Sequence, residues 1–237
     1  MVDKLINFFK TLKESFYYSV IYDSRYEYIL EGLLNTLLIS FIAVIIGVLI
    51  GIVIALIRSY HDKSGKLKFL DWLSRTYVNI IRGTPVILQL MIIYYVIFET
   101  VDINIILVGV LAFGINSGAY VAEIIRAGIN SVPSGQMEAG LSLGLSYSQT
   151  MRHIILPQAV KNILPALCNE FITLIKETSV GAYVGIVELT KASDIIASRT
   201  YDYFFPLVII AIIYLVLTLG LTKLVGILER KLNNARS

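Results

Sequence analysis

Carboxylate, amide and hydroxyl side chains interrupt two long apolar segments of this sequence. They are Asn116, Ser117 and Tyr120 in the segment 103–122, and Asn169, Glu170 and Thr173 in the segment 154–175. In helices, this spacing places each set on neighbouring faces of one element. Polar groups in apolar spans are functional candidates, and a carboxylate there needs a protein base or a cationic ligand group beside it.

These six side chains have two interpretations. In the first, they line a path for a small polar solute whose ammonium group meets the Glu170 carboxylate. In the second, they hydrogen-bond to one another and hold a helix bundle together. The residue types alone leave both interpretations open. The choice depends on the elements that position them.

Composition indicates that those elements cross a membrane. Of 237 residues, 57% are hydrophobic and 16% charged, with a mean hydropathy of +0.76. A soluble domain of this length needs more charge on its surface. The sequence therefore predicts an all-α polytopic protein, and its five predicted crossings are 33–57, 86–98, 103–122, 154–175 and 204–228. The crossing at 86–98 is too short by itself, so we expect it to begin upstream near Tyr77.

The remaining segments complete the predicted domain organisation. Residues 1–30 are predicted to be an amphipathic stretch on the outer membrane surface, with Tyr and Phe at headgroup depth. Residues 31–230 form one membrane domain, and 231–237 a cytoplasmic tail. The segment 180–203 is too polar for a further crossing, which indicates an interfacial helix and loop on the outer side.

Several classes of chemistry have no support in the sequence. A single cysteine, Cys168, excludes an intrachain disulfide, and no group has zinc-site spacing. No nucleophile with a matching base is visible, which argues against an intramembrane enzyme. A net charge of +3 is too small to indicate nucleic acid. No phosphate loop is present, since Ser64-Gly65-Lys66 lacks the first glycine. We therefore expect no metal or cofactor on this chain.

The segment 131–153 has the signals of two short helices with a break. Pro133 suits a first helical turn, and Gly144 suits a left-handed residue that ends a helix. Ser146 and Gln149 fit a capping box that starts the next helix, and Pro157 follows where the chain enters the membrane. Such a segment is either a rigid projection or an ordinary solvated loop.

The residues of this segment resemble the EAA loop of ATP-binding-cassette (ABC) importer permeases. Glu138-Ala139-Gly140, Gly144 and Leu156-Pro157 have the spacing of that loop, although Gly140 replaces the usual second alanine. Ile81-Arg82-Gly83-Thr84-Pro85, the run 118–128, Leu156-Pro157-Gln158-Ala159 and Lys176-Glu177-Thr178-Ser179 resemble the polar amino acid branch of that family. The resemblance covers residues 31 to 230.

This resemblance implies a type I importer fold and a mechanism. The loop would bind a separate ATPase dimer, which holds the ATP and Mg²⁺. The coupling residues would be Gly135, Glu138, Ala139, Gly140, Gly144, Leu156 and Pro157. Further implied partners are a second permease subunit, with a homodimer favoured, an extracellular or periplasmic solute-binding protein, the amino acid and membrane lipid. The six polar side chains would then line the amino acid pathway.

A cytoplasmic EAA-like loop also sets the orientation of the chain. It places 13 of the 20 Lys and Arg residues on the inner side, as the positive-inside rule requires. The N-terminus is then outside and the C-terminus in the cytoplasm of a cell (inner) membrane protein. The main alternative is a proton-coupled secondary transporter that uses Glu170 as its proton site. A pure assembly subunit is a further alternative.

Overall fold

The computed structural model describes residues 2–234, of which 88% are helical and none are in a strand. Ten α-helices follow in chain order: α1 (Val2–Phe16), α2 (Tyr26–Ser64), α3 (Lys68–Gly83), α4 (Val86–Ile92), α5 (Ile105–Asn130), α6 (Ser134–Ser142), α7 (Tyr147–Thr150), α8 (Leu156–Glu177), α9 (Leu189–Thr200) and α10 (Phe204–Asn234). Wider π-turns occupy Tyr17–Ile21, Ile93–Ile97 and Met151–Ile155, and 3-10 turns occupy Tyr22–Ser24 and Thr178–Val184.

Helices α2 and α5 form the most extensive helix pair, and glycines set their distance. A Cβ atom at Gly47 would lie 2.7 Å from Ser117 Oγ, and one at Gly118 would lie 2.7 Å from Ile50 Cγ2. Only glycine allows the two backbones to approach so closely. The pair Gly47 and Gly51 is therefore a packing motif, and it holds Ser117 in a buried position.

The second predicted crossing differs from the expectation. It does not begin near Tyr77 as one helix, because α3 ends at Gly83 and the chain turns by 109° before α4 and its π-turn, which end at Ile97. Pro85 lies at the N-cap of α4. Pro85 explains this break between the helices, because a proline restricts the residue before it to an extended backbone. Thr84 has that extended conformation.

The segment 180–203 packs against the other helices, and its predicted position at the outer membrane surface stays a prediction. It forms the end of a 3-10 turn and helix α9, and Ile186, Leu189 and Ile196 are fully buried. Ile186 joins a core with Ile39 of α2 and Phe113 of α5. This segment therefore closes one end of the bundle.

The number of membrane crossings stays a prediction. Three of the described helices, α2, α5 and α10, are long and apolar enough to span a bilayer, and α3 with α4 would make a fourth. Helix α8 has 22 residues but is more polar than that set. The predicted terminal domains are helical where they are described, as α1 and the end of α10. Residues 1 and 235–237 lie outside the described range.

Candidate functional site

The structure brings together two of the six predicted pathway residues. Ser117 Oγ donates a hydrogen bond to Glu170 Oε1 at 2.9 Å, which joins α5 to α8. Ser117 is fully buried, whereas Glu170 is partly accessible. The Glu170 carboxylate of α8 is thus held by one hydroxyl and forms no ion pair within the described residues.

Asn169 and Thr173 flank Glu170 on α8. Asn169 is exposed on the surface of the single chain, and Thr173 is half-buried. In the predicted crossing 154–175, an amide that faced lipid would be costly, because hydrocarbon offers it no hydrogen bond. The exposed Asn169 therefore indicates that a second protein surface or an aqueous path covers this face.

Asn116 and Tyr120 contact other groups. Asn116 is buried and donates to Gln89 Oε1 at 2.9 Å, while the amide nitrogen of Gln89 donates to the carbonyl oxygens of Ile81 and Thr84. Gln89 therefore satisfies the backbone groups freed at the break between α3 and α4. The ring of Tyr120 lies under the guanidinium of Arg82 at 5.5 Å. Gln89 had no signal in the sequence beyond its place four residues after Pro85.

The predicted coupling segment has the expected backbone. Helix α6 follows Pro133, Gly144 has a left-handed φ of +82°, and α7 begins with a capping box between Ser146 and Gln149. The predictions for Gly144 and for the capping box are confirmed, whereas Pro133 lies at the N-cap of α6, one residue before the predicted first turn. Leu156 and Pro157 lie in the first turn of α8, and the predicted entry to the membrane at this point stays a prediction.

Gly140, which replaces the usual second alanine, has a packing role. It is buried against α7, and a Cβ atom there would lie 2.8 Å from Thr150 Oγ1 and 3.2 Å from Ile154 Cδ1. Thr150 is fully buried and donates to the carbonyl oxygen of Ser146. Glycine at this position lets α6 pack directly on α7, so the whole segment is one compact unit.

The outer face of this unit is exposed and partly apolar. Gly135, Glu138 and Ala139 are exposed, and no atom lies within 4 Å of a Cβ at Gly135. Leu143, at the tip before Gly144, is 81% exposed, and Leu141 is also exposed. An exposed leucine on a rigid, locally capped unit indicates a contact surface for another protein. Leu143 was missed because the resemblance did not include it among the coupling residues.

A second buried carboxylate was also missed. Glu188 is fully buried and caps α9, since it accepts hydrogen bonds from the backbone N–H groups of Thr190 and Lys191 at 2.7 Å and from the Tyr214 hydroxyl at 3.2 Å. Burial raises the pKa of the Glu188 carboxyl to about 6, although the backbone N–H donors lower it. Glutamate is not among the residues preferred at an N-cap, so the sequence has no clear signal for this role of Glu188.

The loop around Glu188 is fixed to α2 by backbone contacts. Asn35 Nδ2 donates to the carbonyl oxygen of Val187 at 2.8 Å, and the N–H of Leu189 donates to Thr36 Oγ1. Gly32 provides the space, because a Cβ there would lie 2.8 Å from the carbonyl oxygen of Glu188. Glu188 therefore anchors one end of the bundle and has a structural role.

A third carboxylate, Glu123, joins the ends of three helices. Arg58 of α2 contacts it at 2.6 Å, Arg126 of α5 at 2.6 Å, and Arg82 of α3 at 3.7 Å. Glu123 and Arg126 form a local ion pair, since they are three residues apart on α5. The cluster holds α2, α3 and α5 together where the predicted cytoplasmic ends of these helices meet.

Comparison with known proteins identifies relatives of this chain. Residues 47–234 match the family described as "Binding-protein-dependent transport system inner membrane component". The putative glutamine transport system permease protein GlnP of Rickettsia bellii is 42% identical over 72% of this chain and 79% of its own length. The arginine transport system permease protein ArtQ of Bacillus subtilis is 42% identical over 69% of this chain and 75% of its own.

Solved structures share the fold. An amino acid ABC transporter crystallised with histidines is 46% identical, covers 86% of this chain and 94% of its own, and superimposes with a TM-score of 0.80. The inward-facing MetNI methionine ABC transporter is 20% identical, covers 87% of this chain and 98% of its own, and superimposes with a TM-score of 0.68. The second likeness shows the fold alone.

Proposed function

The chain belongs to the family of binding-protein-dependent transport system inner membrane components, and from this premise we propose that it carries a polar amino acid across the membrane. Members of this family are multi-pass inner membrane subunits of ABC importers, and they work with a separate ATPase and a binding protein. The comparisons give no support to the proton-coupled alternative.

The observation that carries the amino acid proposal is the environment of Glu170. Its carboxylate is fixed by Ser117 at 2.9 Å and has no basic partner in the described chain. An unpaired carboxylate in a low-dielectric site attracts a cation strongly. Every amino acid offers an α-ammonium, and Asn169 and Thr173 on the same helix supply polar groups beside it. We assign substrate contact to these three residues and positioning of the carboxylate to Ser117.

Asn116 and Tyr120 have a different role in this proposal. Because Asn116 is buried against Gln89, it supports the bend between α3 and α4 rather than contacting solute. Tyr120 lies beside Arg82 at the predicted cytoplasmic end. Because both side chains contact protein groups, we expect Asn116 and Tyr120 to affect transport indirectly.

The exposed Asn169 supports the proposal that two permease copies pair across this face, with the pathway between them. A homodimer would place two Glu170 carboxylates and two Asn169 amides along one path. The proposed orientation, with the N-terminus outside and the C-terminus in the cytoplasm, puts α6 and α7 on the side of the ATPase. Leu143 and the small residues around Glu138 would then contact its groove.

Reconstitution in liposomes with the ATPase and the binding protein tests the proposal. Glu170→Gln removes the charge and keeps the size, so the ATPase activity that amino acids stimulate should fall at least about tenfold, as expected for loss of about 1.4 kcal/mol of ligand interaction. Glu229→Gln, an exposed acid near the end of α10, is the matched control and should leave the stimulated activity unchanged. A panel of amino acids identifies the transported class.

The outcomes separate the parts of this proposal. Unchanged uptake in Glu170→Gln would exclude the carboxylate as the substrate contact. Activity that no amino acid stimulates, in a complex that still assembles, would show that the substrate belongs to another class. Uptake driven by a pH gradient without ATP would restore the proton-coupled alternative.

A further inference from the structure

We propose that helix α3 is an interfacial helix that binds anionic phospholipid of the cytoplasmic leaflet, with the lipid phosphate in a cavity lined by arginines. This inference concerns a surface that the transport proposal does not use. It rests on three independent observations: the direction of α3, the composition of its exposed face and the unused hydrogen-bond donors behind it.

The first observation is the direction of α3. Leu90 of α4 is fully buried in a core with Phe113 of α5 and Leu174 of α8, so α4 lies among the spanning helices. The axis of α3 is turned by 109° from that of α4 and its π-turn, so the two helices cannot both lie along the membrane normal. Its predicted position is the cytoplasmic surface, where basic residues concentrate.

The second observation is the outward face of α3, which is apolar. Phe69, Trp72, Leu73 and Ile80 recur at helical spacing and are 48–70% exposed on the chain. Their opposite face is buried, since Asp71, Ser74 and Val78 pack against the bundle. A strongly amphipathic helix with Trp and Phe on its free face is typical of a helix at the boundary between headgroups and acyl chains.

The third observation is a polar cavity of about 240 Å³ along the edge of this face. Its walls include Arg58, Arg75, Asn79, Arg82, Glu123 and Arg126. Arg75, Asn79 and Arg82 follow one another at i, i+4 and i+7 along α3, beside Trp72. The walls thus carry four guanidinium groups and one carboxylate, an excess of positive charge that an anion would balance.

Two of these arginines have unused donors. Arg82 lies 3.7 Å from Glu123 Oε2, and it makes no side-chain hydrogen bond within residues 2–234. Arg58 Nε is buried and has no hydrogen-bond partner in the same range. Arg75, in contrast, is held by Asp71 at 2.7 Å. Planar N–H donors of this kind match phosphate oxygens well.

A lipid headgroup is the source of phosphate that fits both the arginine-lined cavity and the apolar outward face of α3. A free phosphate would balance the charge of the cavity, but it would leave the apolar face beside it without a partner. A phospholipid satisfies both, because its phosphate reaches the arginines while its acyl chains cover Trp72 and Ile80. An anionic lipid is favoured over a zwitterionic one by the excess charge.

Trp72 is the only tryptophan in the sequence, so its fluorescence reports on this face directly. For this test the full chain is placed in lipid nanodiscs that contain phosphatidylglycerol and phosphatidylcholine at equal mole fraction. One sample carries phosphatidylglycerol brominated at shallow acyl positions, and the other carries phosphatidylcholine brominated in the same way. We expect stronger quenching of Trp72 by the brominated phosphatidylglycerol, with a local enrichment of about fivefold for one arginine. Arg82→Gln should remove this preference, and Arg230→Gln, an exposed cytoplasmic arginine on α10, should keep it.

Three results would overturn the proposal. Equal quenching of the wild-type chain by the two lipids would show that no anionic lipid is selected, and this comparison needs no variant to fold. Weak quenching by both would show that protein, such as a second copy of the chain, covers Trp72. Loss of the preference on adding excess inorganic phosphate at constant ionic strength would assign the cavity to the free ion.

Discussion

The loop around Glu188 and the coupling segment of α6 and α7 are held in place by opposite means. The Glu188 loop is fixed by long-range contacts, since Gly32, Asn35 and Thr36 of α2 all meet its backbone. The coupling segment is shaped by contacts within itself, the Ser146 capping box and the packing of Gly140 on Thr150, and it meets α2 where the Lys63 ammonium lies 4.1 Å from the centre of the Tyr147 ring.

This difference matches what each region has to do. A closed end of a bundle gains stability from buried contacts with several helices, and it moves only with them. A segment that transmits force to another protein has to keep its own shape while its position changes, which local capping achieves. The two regions should therefore respond differently to substitution, and five experiments test that difference, from the largest expected effect on stability to the smallest.

Gly32→Ala should have the largest effect. The new Cβ would lie 2.8–3.0 Å from backbone atoms of Glu188 and Leu189, which cannot rotate away. We expect a loss of about 3 kcal/mol, the upper range for overpacking, seen as a lower midpoint of thermal unfolding of the purified chain. Gly220→Ala on α10, where no atom lies within 4 Å of the Cβ, is the control. Equal midpoints for the two variants would contradict the close packing.

Glu188→Ala should have the next largest effect. It leaves the N–H groups of Thr190 and Lys191 and the Tyr214 hydroxyl without their acceptor, with an expected loss of about 2 kcal/mol for a buried N-cap. Glu188→Gln keeps one acceptor oxygen and should lose less. Thermal unfolding of the three proteins checks this order, and a larger loss for Gln than for Ala would refute the capping role.

Glu188 should also make the stability of the folded chain depend on pH. Burial raises the pKa of Glu188 from its ordinary value of 4.5 to about 6, so the folded chain binds its proton more tightly than the unfolded chain does. The resulting stability is present below about pH 4.5 and is lost as the pH rises through 6. Glu188→Gln should remove this part of the profile between those values. An unchanged profile would assign the dependence to other groups.

Gly140→Ala restores the alanine that the resembling family usually has, yet it should destabilise the coupling segment. Its Cβ would meet Thr150, and we expect a loss of about 1–2 kcal/mol from overpacking with weaker coupling of ATP hydrolysis to uptake. Adding Thr150→Ala removes the clash and should restore coupling. If the single variant couples as well as the wild type, the segment has more free space than the structure shows.

Leu143→Ala should have the smallest effect on stability and a clear effect on coupling. Because Leu143 is 81% exposed, its truncation should change stability by less than about 0.5 kcal/mol. In the reconstituted complex we expect lower ATPase activity and weaker copurification of the ATPase. Leu219→Ala, an exposed leucine on α10, is the matched control. Normal coupling in Leu143→Ala would move the contact surface to another part of α6.

Local sequence signals account for the parts of the fold that depend on neighbouring residues. Gly144 and the capping box of Ser146 and Gln149 were predicted correctly, because each depends on a few adjacent residues. The apolar periodicity also placed the cores of α2, α5 and α10. The sequence similarity to importer permeases, carried by the same local motifs, indicated the family that the comparisons show.

Tertiary structure alone decided which polar groups meet. The sequence placed Asn116, Ser117 and Tyr120 on one strip, but packing directs them to Gln89, Glu170 and Arg82 respectively. It also made Gly140 a packing residue, buried the segment around Glu188 and turned α3 away from α4. Such outcomes depend on contacts between residues far apart in the chain, where distances and directions are set by how helices pack, so periodicity within one helix cannot specify them.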